Sequence, residues 1–184
     1  IEDFMVCANE CVARHMRWLE YPFLYRVHEK PNADKIREFA SLSALMGYPL
    51  KGNPEDIHAS SLQRILKKAK DTEVYPVLSS RMLRSMQKAK YAAECLGHFG
   101  LGLKEYTHFT SPIRRYPDLI VHRMLYKYTF SKEVPIKDIN MDETKMVDIA
   151  KQSSQRERVS IEAERAVEDI KKAEFMQGKI GQEF

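Results

Sequence analysis

Apolar residues recur three and four apart over the first nineteen positions. Ile1, Phe4, Met5, Ala8, Cys11, Val12, His15, Met16 and Leu19 keep that rhythm, which predicts a helix with one buried stripe. Cys7 and Cys11 stand four apart on it and read as small buried side chains. Ile1 already belongs to the stripe and nothing before it can cap the helix, so the chain is expected to be a cut from a longer one. Tyr21-Pro22 stops the helix, and the alternation from Phe23 to His28 predicts a short strand. A second helix is predicted from Pro31-Asn32 to about Met46, closed by Gly47. After the loop Lys51-Gly52-Asn53-Pro54, a third runs from His58 to Lys70, with Lys67, Lys68 and Lys70 on its outer face. A fourth covers Val77 to Gln87, with Pro76 near its start.

The pattern changes over residues 91–110. Gly97, Gly100 and Gly102 punctuate the run, and each costs a helix roughly 1 kcal/mol. Extended or strand structure with close backbone approach is expected there. In His108-Phe109-Thr110-Ser111-Pro112-Ile113-Arg114-Arg115-Tyr116-Pro117-Asp118, two prolines stand too close together for one regular helix. The segment is read as a shaped loop that delivers two guanidiniums to a helix entrance. Pro117 suits a first helical position, and Val121, Met124, Leu125 and Tyr128 carry that helix's stripe.

A last long helix is predicted from about Asp142 to Met176. Its stripe opens with Met146, Ile149 and Ala150, breaks at Ser153-Ser154-Gln155-Arg156-Glu157-Arg158, and resumes with Val159, Ala163, Val167, Ile170 and Phe175. The break faces either solvent or a functional cavity. Arg158–Glu162 and Arg165–Asp169 are spaced to support the helix. Gly178 ends it, and Ile180 to Phe184 is expected to begin an extended segment. The fold class is α+β and predominantly α-helical, with a few short strands around 23–28 and 91–110.

With 43% hydrophobic and 30% charged residues among 184, the chain has the composition of a globular domain, too apolar for disorder. No long apolar run suits a membrane span. Three cysteines without a Cys-x-x-Cys pair argue against a disulfide framework or a zinc site and fit a reducing cytoplasm. The nine methionines read as core filler. Net charge is +4, but residues 81–132 hold ten basic side chains against three acidic ones, whereas the rest holds twenty against twenty-three. Such concentration marks either a polyanion site or a solvated helix face.

Adjacent Arg114 and Arg115 point different ways in any regular backbone. One can offer its donor fork to a phosphate while the other serves the scaffold or a second phosphate. The following helix start adds free N–H groups and a positive dipole end. Arg84, Tyr91, Phe109 and Arg123 are candidates for further phosphate contacts and base stacking, a combination that suits a single strand. For Arg115 and Arg123 an internal salt bridge stays open beside RNA contact. His98 and His108 are read as structural or RNA-contacting histidines, since neither has a ligand partner at metal spacing. His122, four residues after Asp118, is expected to hydrogen-bond it structurally rather than form a dyad, and Ser111 to cap or turn the chain.

His98-Phe99-Gly100-Leu101-Gly102-Leu103, then Tyr106 through Asp118, then His122-Arg123, resembles the signature of the ribonuclease II superfamily catalytic domain, with its bacterial ribonuclease R branch the nearer match. Ile1-Glu2-Asp3-Phe4-Met5 with Ala8-Asn9-Glu10, Arg26-Val27-His28-Glu29-Lys30-Pro31, and Arg84-Ser85-Met86 with Tyr91 agree with it. The resemblance implies processive 3′-to-5′ hydrolysis of single-stranded RNA to nucleoside monophosphates. It implies a divalent metal, expected to be magnesium, held in the parent enzyme by clustered aspartates. It gives Arg114 a catalytic place at the scissile phosphate, and Glu2 and Glu164 supporting places near the active site and the RNA end. The aspartate motif is expected N-terminal to this chain, with no metal bound by these residues alone and no activity in isolation. Residues 1–177 would then be the C-terminal part of the catalytic domain, and 178–184 the lead-in to an OB-type RNA-binding domain. The expected partners are single-stranded RNA, the missing part of the catalytic domain and its flanking RNA-binding domains. The alternative is a non-catalytic module that binds single-stranded RNA.

Overall fold

The computed structural model describes residues 1–130 and 134–183, so Lys132 and Phe184 lie outside the described residues. Six α-helices carry the fold among them: α1 (Glu2–Leu19), α2 (Ala33–Leu45), α3 (Ala59–Ala69), α4 (Tyr75–Ser85), α5 (Tyr116–Phe130) and α6 (Ile136–Gln177). Two strands, β1 (Tyr25–Val27) and β2 (Lys90–Ala92), pair antiparallel. The α+β, mostly helical class is thus observed.

The apolar side chains close into two clusters. One joins Ala13 and Met16 of α1, Phe23, Tyr25 and Val27, Tyr91, Val121 of α5 and Met146 of α6. The other lies within α2, α3 and α4, around Ile36, Phe39, Leu62, Ile65 and Leu78. Asn32 caps α2 by accepting the Asp34 N–H at 2.7 Å, the local reason the helix starts where it does. Gly47, at φ 85°, turns the chain just beyond its end.

Several expectations need correction. Strand structure in 91–110 is confined to β2 and isolated bridges, and Phe99–Leu101 forms a short 3₁₀ turn. The expected close approach is present: a Cβ on Gly100 would meet His28 Nδ1 at 2.8 Å. Helix α6 starts at Ile136, well before Asp142. Asp142 sits buried inside it, accepting from Lys127 Nζ at 2.6 Å and the Tyr128 hydroxyl at 2.8 Å. Cys7 and Cys11 are exposed, because α1 turns Asn9, Ala13 and Met16 inward instead and leaves Ile1 and Phe4 uncovered. Val159, Val167, Ile170 and Phe175 are also exposed: α6 runs beyond the helices it packs on. The charge pairs formed there are Lys172–Glu168 and Lys171–Glu174, not Arg158–Glu162 or Arg165–Asp169, among the described residues. After Gly178 the chain turns through a Gln182 N–H to Lys179 carbonyl bond rather than extending.

Candidate active site

Strand register builds the floor of the site. Arg26 stands opposite Tyr91, and its guanidinium carbon lies 4.7 Å from the Tyr91 ring centroid, a cation–π contact. Arg26 Nη1 also donates to Glu157 Oε2 of α6 at 2.7 Å. The Tyr91 N–H donates to Ser154 Oγ at 2.9 Å. The polar break of α6 therefore turns toward the strands through Ser154 and Glu157. Its first-half stripe lies on α5, with Met146 and Ala150 buried.

The loop before α5 is held at two points. Asn9 of α1 accepts the Phe109 and Thr110 N–H groups on Oδ1, at 2.9 and 3.2 Å. Asp118, fully buried, accepts the Ser111 N–H at 2.8 Å and both Nε and Nη2 of Arg115 at 2.9 and 2.8 Å. The Ser111 carbonyl accepts the Arg114 and Arg115 N–H groups, giving Ser111 its turn role. His122 does not bond Asp118, whose oxygens are already occupied. Its ring lies within 2.9 Å of the Phe109 carbonyl through Nε2 and stacks on the Phe109 ring with centroids 4.3 Å apart.

Arg114 is exposed, and its guanidinium has no ionic or hydrogen-bond partner among the described residues. It faces an open hollow of about 760 Å³, bounded by Tyr91, Arg115 and Tyr116 on one side and by Gln152, Ser153, Arg156 and Glu157 of α6 on the other. Of the residues singled out in the sequence, Tyr91, Arg114 and Arg115 meet here. Phe109 and Arg123 line a neighbouring apolar hollow with Tyr126 and Phe130. Arg84 lies apart, on a groove between α2 and α4 with Lys35 and Arg81. Glu2, on the first turn of α1, and Glu164, on α6, are exposed and line neither hollow. The sequence reading overlooked Asn9, Arg26 and Asp118 as anchors. Their partners stand far away in sequence, except for the Arg115–Asp118 spacing of three, which is a recognisable helix-entrance pair.

Behind the hollow lies a run of rings. Burial, reinforced by the Arg115 charge, pulls His108 down to about 3, and burial with the His28 ring pulls His98 down to about 4. His108 Nδ1 lies 2.9 Å from the Tyr91 hydroxyl, whose own ionisation burial pushes up to about 12. Both histidines are therefore neutral scaffold groups near neutral pH. Among the described residues no three His, Cys, Asp or Glu side chains converge as a metal site would need. The residues present do not fit the divalent metal that the resemblance implies.

A guanidinium without an internal partner, a polar helix face across an open hollow and a basic surround suit a phosphodiester. The family model described as the RNB domain matches residues 1–131. The chain belongs to the RNB-domain family. Over its whole length this RNB chain is 46% identical to ribonuclease R 1 of Lactococcus lactis, of which it spans 22%. It superposes on Mycoplasma genitalium RNase R in complex with ribose-methylated single-stranded RNA with a TM-score of 0.92, at 30% identity, covering 98% of this chain and 28% of that one. It also superposes on yeast Ssd1, described as a pseudonuclease, with a TM-score of 0.64 at 26% identity, covering 83% of this chain and 20% of that one. The RNB chain thus spans about a quarter of the length of the curated relatives it matches. The resemblance read from the motif is borne out. No helix among the described residues is long and apolar enough to cross a membrane.

Proposed function

We propose that this RNB chain is the arginine-bearing part of a processive 3′-to-5′ exoribonuclease that hydrolyses single-stranded RNA to nucleoside monophosphates. The observation that carries the reading is Arg114: exposed, unpaired among the described residues, and set at a hollow wide enough for a nucleotide. Its role there is to neutralise charge that develops on the phosphoryl oxygens, a contribution of order 10²–10³ in turnover for one well-placed donor. Arg115, already committed to Asp118, acts as scaffold and adds a second positive charge nearby. Tyr91, Phe109 and Arg123 provide ring faces and charge along the RNA path, Arg84 a more distant contact, and Glu2 and Glu164 support the site in the full-length protein. A divalent metal, expected to be magnesium, would be held by acids elsewhere in that protein. Residues 1–177 are taken as catalytic domain and 178–184 as the lead into a following RNA-binding domain.

The test uses the full-length protein. Arg114→Ala is expected to lower turnover at least a hundredfold while the Kd for single-stranded RNA rises only a few-fold; equal losses in both would remove the transition-state role. This chain by itself is expected to degrade no RNA, with or without magnesium. A second reading, a non-catalytic RNA-binding module, draws on the likeness to a pseudonuclease. Clustered aspartates upstream of Ile1 in the full-length sequence favour the enzyme, and their absence favours the binder.

A further inference from the structure

Asn9 occupies a singular place in the fold. It is 4% exposed, lies two turns into α1, and spends every polar atom of its side chain on a segment about a hundred residues away. Two backbone N–H groups, those of Phe109 and Thr110, converge on one atom of its amide, so that atom is the oxygen. The amide nitrogen then donates to the Tyr106 hydroxyl at 3.0 Å. That hydroxyl belongs to a buried ring packed edge-on against His98 and His108.

These three bonds hold the lead-in to the arginine loop, Tyr106 to Thr110, and Asp118 holds the loop itself on both sides of Arg114, through Ser111 and Arg115. Arg114 lies between Ser111 and Arg115 and has no side-chain tether of its own among the described residues. Its place is set by backbone alone. Glu2 and Asn9 are seven apart on α1 and so share one face, about 10 Å along the axis. The amide that holds the arginine loop thereby also sets where the helix carrying Glu2 stands.

We propose that Asn9 is a positioning residue for the reaction: it holds the Phe109–Thr110 backbone so that Arg114 meets the scissile phosphate. This rests on the exoribonuclease reading above. Replacing Asn9 with leucine leaves two N–H groups without their acceptor and loosens the lead-in from which the loop springs, with Asp118 still gripping Ser111 and Arg115. A displacement near 1 Å is enough to cost about a hundredfold in turnover.

A double-mutant cycle in the full-length protein tests it, with kcat and KM measured on single-stranded RNA for Asn9→Leu, Arg114→Ala and the pair. The expected result is a kcat loss of about a hundredfold for Asn9→Leu with KM changed less than about threefold, and no further loss when it is added to Arg114→Ala. Asn9→Asp keeps both acceptor bonds and lets the Tyr106 hydroxyl donate, so it should retain kcat within about tenfold of the native protein. Thermal unfolding of each variant accompanies the kinetics. If Asn9→Leu shows no cooperative transition, Tyr106→Phe takes its place in the cycle, with a smaller loss and the same non-additivity expected. Additive losses overturn the positioning role, as does an Asn9→Asp variant as impaired as Asn9→Leu. If Arg114→Ala alone leaves turnover intact, the exoribonuclease role of Arg114 fails first, whatever Asn9 does.

Discussion

Arg114 and Arg115 have the same side chain and different surroundings. Arg115 meets both oxygens of the buried Asp118 in the fork geometry that guanidinium and carboxylate share. Removing Asp118 would leave that charge unanswered in a half-buried site. Arg114, one residue earlier, is exposed and has no ionic partner among the described residues. The same Arg115 charge bears on His108, which burial already holds neutral, down to about 3, as it holds His98 down to about 4. An unfolded histidine titrates near 6.5. Between about pH 6.5 and pH 4 the unfolded chain therefore binds protons that the native chain refuses at these two sites. Stability from them is complete above pH 6.5 and is lost as pH falls toward the native values. Denaturant titrations at half-unit pH steps should show an uptake of about two protons on unfolding near pH 5. His108→Gln should remove about one of them. A stability flat from pH 6.5 to 4.5, or a slope untouched by the substitution, would refute the assignment.

At the scale of elements, local signals and long-range ones separate cleanly. The starts of α2 and α5 were legible because they are marked on the chain itself, by Asn32 and by the Pro112–Pro117 pair. That adjacent Arg114 and Arg115 point different ways was legible from their adjacency, and the structure ties only Arg115 to the scaffold. Helix α6 was misjudged at its start because Asp142 looks like a helix opening, and only Lys127 and Tyr128 of α5 explain why it is buried. Cys7, Cys11 and the late apolar residues of α6 were misjudged for another reason: an apolar stripe says which face is greasy, not what covers it. Asn9 and the Arg26–Glu157 pair were illegible because partners a hundred residues away leave no periodic trace. His28 shows the same logic between elements. Its Nδ1 accepts the Gly100 N–H at 2.9 Å, so Nε2 carries the proton and donates to the Gln87 carbonyl at 2.8 Å. That ring ties the end of α4 to β1 and the 3₁₀ turn. Gly100→Ala would set a methyl group 2.8 Å from Nδ1, costing about 1–3 kcal/mol as overpacking. Hydrogen exchange should then quicken in α2, α3 and α4 more than in α1 and α5. Equal protection in both regions would show that the ring is no joint.

For the whole molecule, the charge excess of residues 81–132 can now be divided by surroundings. Arg115 is neutralised by Asp118, Lys127 by Asp142 and Lys90 by Glu29. Arg114 and Arg123 are exposed and have no ionic partner among the described residues. An RNA should lose its condensed cations chiefly where the second group meets its phosphates, because the paired charges are already answered within the protein. Binding of a fluorescent single-stranded RNA, followed from about 50 to about 300 mM salt, should weaken linearly on logarithmic axes. Arg114→Ala and Arg123→Ala should each reduce the slope by about 0.7, the share of one phosphate contact on a single strand. Lys90→Ala should change it less, since Lys90 enters the complex already answered by Glu29. If Lys90 and Arg114 lower the slope alike, formal charge alone governs binding and the pairing seen in the fold has no bearing on it. If salt has no effect, the basic segment is a solvated helix face and RNA recognition lies elsewhere in the full-length protein.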